Sequence, residues 1–164
     1  MGLSAVTEKI EIGAPVDKVF QFVTDTDQIS RILPPALRAT VLRRNARRLG
    51  PGVSLEVALR PLGFAFRAEV SVTAWRLNRH LAYAWRSGPF HPWEHDLYFE
   101  SLSRTHCRVT HCLIYRPPLG LLGLVLDRVW FRHALRRSLR RLGPSWAAAR
   151  DHSSLAPTHG LVLG

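Results

Sequence analysis

A change of hydrophobic period constrains this chain more than any other feature. From Leu37 to Tyr115, apolar side chains recur at every second position through six successive segments; after Pro117 and Pro118 they recur at helical spacing. Leu37, Ala39 and Val41 open the series, the Arg-rich stretch to Gly50-Pro51-Gly52 turns the chain, and Val53, Leu55, Val57 and Leu59 return. Phe64 to Ala74 and Leu81 to Trp85 follow. Trp93, His95, Leu97 and Phe99, then Val109, His111, Leu113 and Tyr115, carry the apolar faces of the last two strands. Ahead of the series, Val6, Ile10 and Ile12 mark a strand that ends at Gly13, and Val16, Val19, Phe20 and Val23 mark a short amphipathic helix after Pro15. At the other end, residues 119 to 142 predict one long helix. Phe131, Ala134, Leu135, Ser138, Leu139 and Leu142 occupy one side of it, and Arg132, Arg136, Arg137, Arg140 and Arg141 the other. Its first half, Leu121 to Trp130, is apolar nearly all round and is expected to need cover on more than one side.

Strand, short helix, six strands and long helix make an α+β chain. Successive strands pair antiparallel, and a sheet of this width twists and curls into a concave face that one helix covers. With 164 residues, 46% of them hydrophobic, the chain suits one packed domain and cannot be a disordered polymer. Residues 1 to 146 are expected to form that domain, and residues 147 to 164, which lack a sustained period, a mobile tail. No stretch approaches the roughly 20 apolar residues of a membrane span, and the N-terminus lacks a basic start followed by an apolar run. The expected location is the cytoplasm. Cys107 and Cys112 point to opposite faces of one strand and cannot pair there, which suits a reducing compartment.

The formal charge is +11, from 23 basic and 12 acidic residues. Such an excess attracts polyanions, but all of the basic residues except Lys9 and Lys18 are Arg, a skew that genome composition alone produces. Arg43, Arg44, Arg47 and Arg48 form one cluster; Arg132, Arg136, Arg137, Arg140 and Arg141 form another. Each reads as a solvated face, and the second alternatively as a basic surface module for acidic membranes or RNA. A nucleic-acid partner is not expected.

Several segments carry a family resemblance. I-E-I-G-A-P-V-D-K-V-F (Ile10 to Phe20), S-G-P-F-H-P-W-E-H-D-L-Y-F-E (Ser87 to Glu100), R-V-T-H (Arg108 to His111) and Y-R-P-P-L-G-L-L-G (Tyr115 to Gly123) resemble the START/Bet v 1-like superfamily, also called SRPBCC or polyketide cyclase/dehydrase-like. The resemblance covers about residues 5 to 142. It implies a helix-grip fold: a curled antiparallel sheet wrapped around a long C-terminal helix, with a short helix after the first strand. It further implies a cavity between sheet and helix for a small hydrophobic or amphipathic ligand such as a lipid, a quinone or a polyketide-like compound. No cofactor or metal is implied. Leu33 and Pro34 would lie at the cavity mouth. Tyr83 and Trp85 stand where close bacterial members often carry smaller polar residues, so the cavity would be narrowed or filled.

If Glu100 and Cys107 bracket the last turn, antiparallel register sets Phe99 opposite Cys107, Leu97 opposite Val109 and His95 opposite His111. Two imidazoles on an apolar face must find partners. They form either a structural pair closed by water or the polar anchors of a ligand. Were the chain an enzyme of the cyclase/dehydrase type, His95 or His111 would be its general base. No carboxylate supports them on these strands, because Glu94, Asp96 and Glu100 have the opposite parity, so binding is the stronger reading and no catalytic residue is otherwise assigned. His91 and His95 lie roughly 13 Å apart along a strand, too far to share a metal ion. The ligand-lining candidates are Tyr83, Trp85, Trp93, His95, His111, Leu113, Leu124 and Phe131, aromatic and apolar positions that equally suit plain core.

Overall fold

In β1 (Ser4–Ile12), alternation buries Ser4, Val6, Ile10 and Ile12 and leaves Glu8 half-covered on the same face. Pro15 caps α1 (Val16–Thr24), which carries Asp17 in its first turn and buries Val19, Phe20, Phe22 and Val23. A 3-10 turn (Thr26–Gln28) and a single helical turn, α2 (Ile29–Ile32), lead to β2 (Thr40–Arg44). The chain then runs through β3 (Ser54–Leu59), β4 (Phe66–Arg76), β5 (His80–Trp85), β6 (Trp93–Ser101) and β7 (Cys107–Tyr115), with no α-helix between them among the described residues. These elements come from a computed structural model that describes residues 2–33, 35–60, 63–88 and 90–147. Of the tail expected at residues 147 to 164, only Ala147 falls within them.

All seven strands join one antiparallel sheet in the order β1-β7-β6-β5-β4-β3-β2. Each strand after β1 pairs with its chain neighbour, and β1 returns to close on β7. The C-terminal helix grips this sheet in three parts: α3 (Gly120–Leu126), a π-helical turn (Asp127–Phe131) and α4 (Arg132–Arg140). A last helix, α5 (Leu142–Ala147), folds against β1, α1 and α2. This is the α+β class expected from the order of elements and the helix-grip fold implied by the family resemblance.

Three details differ from the expectation. β6 continues to Ser101, which pairs with Cys107, because the turn is closed tightly by Leu102 and Ser103 N–H groups donating to the His106 carbonyl. The register therefore moves by two residues: Phe99 faces Val109, Leu97 faces His111 and His95 faces Leu113. A shift of two preserves parity, so every side chain keeps its face. In β4, a bulge between Val72 and Ala74 transfers the inward position to Trp75, which pairs with Leu81 and lies 5.8 Å from the Phe20 ring. The even parity assumed as far as Ala74 holds only through Val72.

The third detail is the helix. Asp127, Phe131, Leu135 and Leu139 are all buried, at a constant spacing of four. In a regular α-helix that spacing drifts by about 40° per step, and the π turn takes up part of the drift. Within α3 the buried residue is Gly123, which packs on the Pro118–Leu119 turn that leads into the helix. The apolar side chains around Gly123 are not covered on several sides as expected; Leu121, Leu122, Val125, Leu126, Val129 and Trp130 are exposed.

Gly123 is where the helix approaches the backbone of that turn most closely. A Cβ there would lie 1.5 Å from the Pro118 carbonyl oxygen. Gly123→Ala is therefore expected to cost about 3 kcal/mol, lowering the thermal midpoint by roughly 6 to 12 °C. Gly50→Ala, whose Cβ meets nothing within 4 Å, should change stability by less than about 0.5 kcal/mol. Equal midpoints for the two variants would refute this contact.

Candidate functional site

The hollow of the sheet is occupied by its own side chains. Tyr83 and Trp85 from β5, Trp93 and His95 from β6, and His111 and Leu113 from β7 are all buried. The Tyr83 hydroxyl lies 2.5 Å from His95 Nδ1, and His95 Nε2 lies 3.1 Å from His111 Nδ1. Trp146 of α5 covers His111, with ring centroids 5.3 Å apart. The space left beside Tyr83, under α2, is about 10 Å³, room for no more than about one water molecule. Leu33 is buried against that void; Pro34 lies outside the described residues.

Burial holds both imidazoles neutral. It pushes His95 well below its ordinary value, with the His111 charge adding to the effect, and it pushes His111 down to about 3. Burial also pushes the Tyr83 phenol up. With these states, we assign Tyr83 O–H as donor to His95 Nδ1, and His95 Nε2–H as donor to His111 Nδ1. The reverse order would strand the Tyr83 hydroxyl hydrogen as well as His111 Nε2. Either way, His111 Nε2 has no partner among the described residues.

A second buried polar cluster escaped the sequence reading. Ser4 Oγ donates to Asp127 Oδ2 at 2.6 Å, and Tyr115 donates its hydroxyl hydrogen to Asp127 Oδ1. Arg132 Nη2 reaches both Asp127 Oδ2 and Ser4 Oγ at 3.2 Å. Burial, then the hydrogen bond to the Asp127 carboxylate, pushes the Tyr115 phenol up. Two signals were present in the sequence: Ser4 has the buried parity of β1, and Asp127 is the one acidic residue between Leu119 and Leu142. Glu8, on the same face of β1, binds Arg136 at 3.6 Å and Arg140 at 3.0 Å. Arg137 and Arg141 have no side-chain partner among the described residues. In the other Arg cluster, Arg44 hydrogen-bonds Asp27, lowering that carboxyl from its usual value, and Arg47 lies 3.3 Å from it.

An open apolar groove of about 460 Å³ lies at the rim, between α3 with its π turn and the loops at one end of the sheet. Phe64, Phe66 and Phe90 form one wall, Pro117 to Leu119 one end, and Gly123, Leu126, Trp130 and Phe131 the helix side, with Asp127 among the lining residues. Phe90 and Phe131 stack at 5.1 Å, and the Trp85–Trp93 stack, at 4.4 Å, backs Phe90. Of the eight candidate residues, Phe131 lines the groove, Trp85 and Trp93 lie behind it, and Tyr83, His95, His111 and Leu113 belong to the packed interior. Leu124 is half-buried beside Gly2. Across Trp130, a basic depression of about 440 Å³ is lined by Arg38, Arg137 and Arg141.

The histidine pair predicts a pH dependence. The unfolded chain takes up protons near the ordinary histidine value of 6.5, whereas His111 stays neutral when folded down to about 3. Between those values the unfolded state holds more protons, so stability falls as pH drops. Urea unfolding should lose roughly 1.4 kcal/mol per pH unit per buried histidine once below that upper value. The His95→Gln/His111→Gln variant should lose most of the slope between about pH 6.5 and 5; an unchanged slope would rule out buried neutral imidazoles.

Three solved structures share the fold. A protein from Thermus thermophilus superposes with a TM-score of 0.70 at 17% identity, covering 92% of this chain and 99% of that one. A START superfamily protein from Mycobacterium smegmatis gives 0.64 at 14% identity, covering 86% and 97%. Norcoclaurine synthase from Thalictrum flavum, solved with dopamine and hydroxybenzaldehyde, gives 0.60 at 10% identity, covering 88% of each chain. No curated protein matches in sequence. Residues 12–142 match the family described as polyketide cyclase/dehydrase and lipid transport, and with the fold and the helix-lined groove in place, the chain belongs to that family.

Proposed function

We propose that the protein binds or carries a small hydrophobic or amphipathic ligand, of lipid, quinone or polyketide-like character, in the apolar groove at the rim of the sheet. Residues 1 to 146 would act as the binding unit, in the cytoplasm. One observation carries the reading: the groove offers about 460 Å³ with an almost wholly apolar lining, within the range of small-molecule sites. The space beside Tyr83 offers about 10 Å³. Membership of a family that includes lipid transport supports the same reading. Tyr83 and Trp85 contribute by filling the hollow, which leaves the rim as the place for a ligand.

The cyclase/dehydrase alternative has less to rest on. His95 and His111 are spent on Tyr83 and on each other, and neither lines the groove. The groove's own carboxylate, Asp127, already accepts from Ser4, Tyr115 and Arg132. A general base needs a free lone pair within reach of a substrate proton.

The test is thermal unfolding with a long-chain alcohol, a short-chain quinone and an anthraquinone. At least one should raise the midpoint saturably, by roughly 5 to 10 °C at about a hundredfold excess over Kd. Leu126→Glu places a charge on the groove wall at a half-exposed position; it should leave the unliganded midpoint in place and abolish the rise. No response to any of the three classes would overturn the proposal.

A further inference from the structure

Leu121, Leu122, Val125, Leu126, Val129 and Trp130 are between 45% and 83% exposed. They lie within ten consecutive residues of one helix, so they form a continuous apolar face rather than scattered surface hydrophobes. No carboxylate interrupts that face, because Asp127 is buried and paired with Arg132. Leu119, also exposed, enters the helix with a left-handed φ of 69°, a conformation that costs a non-glycine residue energy and sets its side chain outward at the end of the face. Basic groups border the face: exposed Arg128 lies within it, and exposed Arg137 and Arg141 follow on the same helix. The chain as a whole carries +11.

We infer that this face is a membrane-docking surface whose partner is a bilayer containing anionic lipids. An apolar helical face bordered by arginine is the arrangement that lies in a bilayer interface, with its apolar side chains among the acyl chains and its cations at the headgroups. Among the described residues no helix is long and apolar enough to cross a membrane, so the helix rests on the surface. A second copy fits less well. A two-fold interface brings the same patch together twice and would set the Arg128, Arg137 and Arg141 groups of both copies near one another without carboxylates between them. Leu126 and Trp130 belong both to the face and to the groove wall, so docking would open the groove directly toward the lipid. Docking itself does not require the groove to hold a ligand.

Co-sedimentation of the full chain with two kinds of vesicle tests this, phosphatidylcholine alone and phosphatidylcholine with a minor fraction of phosphatidylglycerol. Binding is expected to the second, weakening with salt, together with a blue shift of Trp130 emission that Trp130→Phe removes. Leu121→Glu/Val129→Glu changes only exposed positions, so the thermal midpoint should hold while vesicle binding disappears. Arg137→Gln/Arg141→Gln should weaken binding roughly tenfold or more. Failure of the full chain to bind anionic vesicles would overturn the inference, as would binding that survives Leu121→Glu/Val129→Glu. A dimer in sedimentation velocity that the same two substitutions disperse would instead assign the face to a second copy.

Discussion

The buried carboxylate of Asp127 is the constraint on which the rest of the helix depends. It takes hydrogen bonds from β1 through Ser4, from β7 through Tyr115 and from α4 through Arg132, so one group ties the helix to the two strands that close the sheet. An anion in an apolar interior persists only when it is hydrogen-bonded and paired, and here both conditions are met by residues far apart in the chain. Asp127 opens the π turn, and with it facing the sheet, Phe131, Leu135 and Leu139 follow at spacings of four. The opposite side of the same segment is then fixed as well: Leu121, Leu122, Val125 and Val129 have nowhere to point but outward.

A filled hollow has consequences for where chemistry can occur. Tyr83, Trp85, Trp93 and the histidine pair occupy the volume that a curled sheet otherwise leaves beneath its helix. The hydrogen bonds of Tyr83, His95 and His111 run from ring to ring and end on His111 Nε2, which has no partner among the described residues and whose ring Trp146 covers. Such a column resists both water and ligand, because entry would have to displace packed aromatic rings. The rim has no such obstacle. Phe66, Phe90 and Phe131 present ring faces and edges to an open groove, and adaptable apolar contact of this kind suits ligands that offer few polar groups.

The strands were legible because alternation is a local signal, repeated six times with little interference, whereas the return of β1 to β7 joins segments about a hundred residues apart and leaves no mark in either one's pattern. The concave parity of His95 and His111 was legible too, since a register error of two leaves parity intact. Turn geometry was not: whether β6 ended at Glu100 or Ser101 depended on how residues 102 to 106 fold back on themselves, which side-chain pattern does not encode. The β4 bulge was hidden for a similar reason, because Trp75 reads as an outward residue until one extra position is inserted before it. The groove was hardest to see. Its walls come from Phe64, Phe90, Leu119 and Trp130, four places with no shared periodicity, brought together only by tertiary packing.

The basic helix shows how composition and placement differ. Five arginines that look like one cationic face divide into two groups once β1 lies beneath them. Arg132 neutralises Asp127, and Arg136 and Arg140 converge on Glu8, so three of the five are engaged by carboxylates of the fold. Arg137 and Arg141 remain beside the groove with Arg38. A net charge of +11 therefore says little on its own. What matters is that cations without carboxylate partners sit beside an uncovered apolar helix, because adjacency of the two distinguishes an interfacial surface from a solvated one.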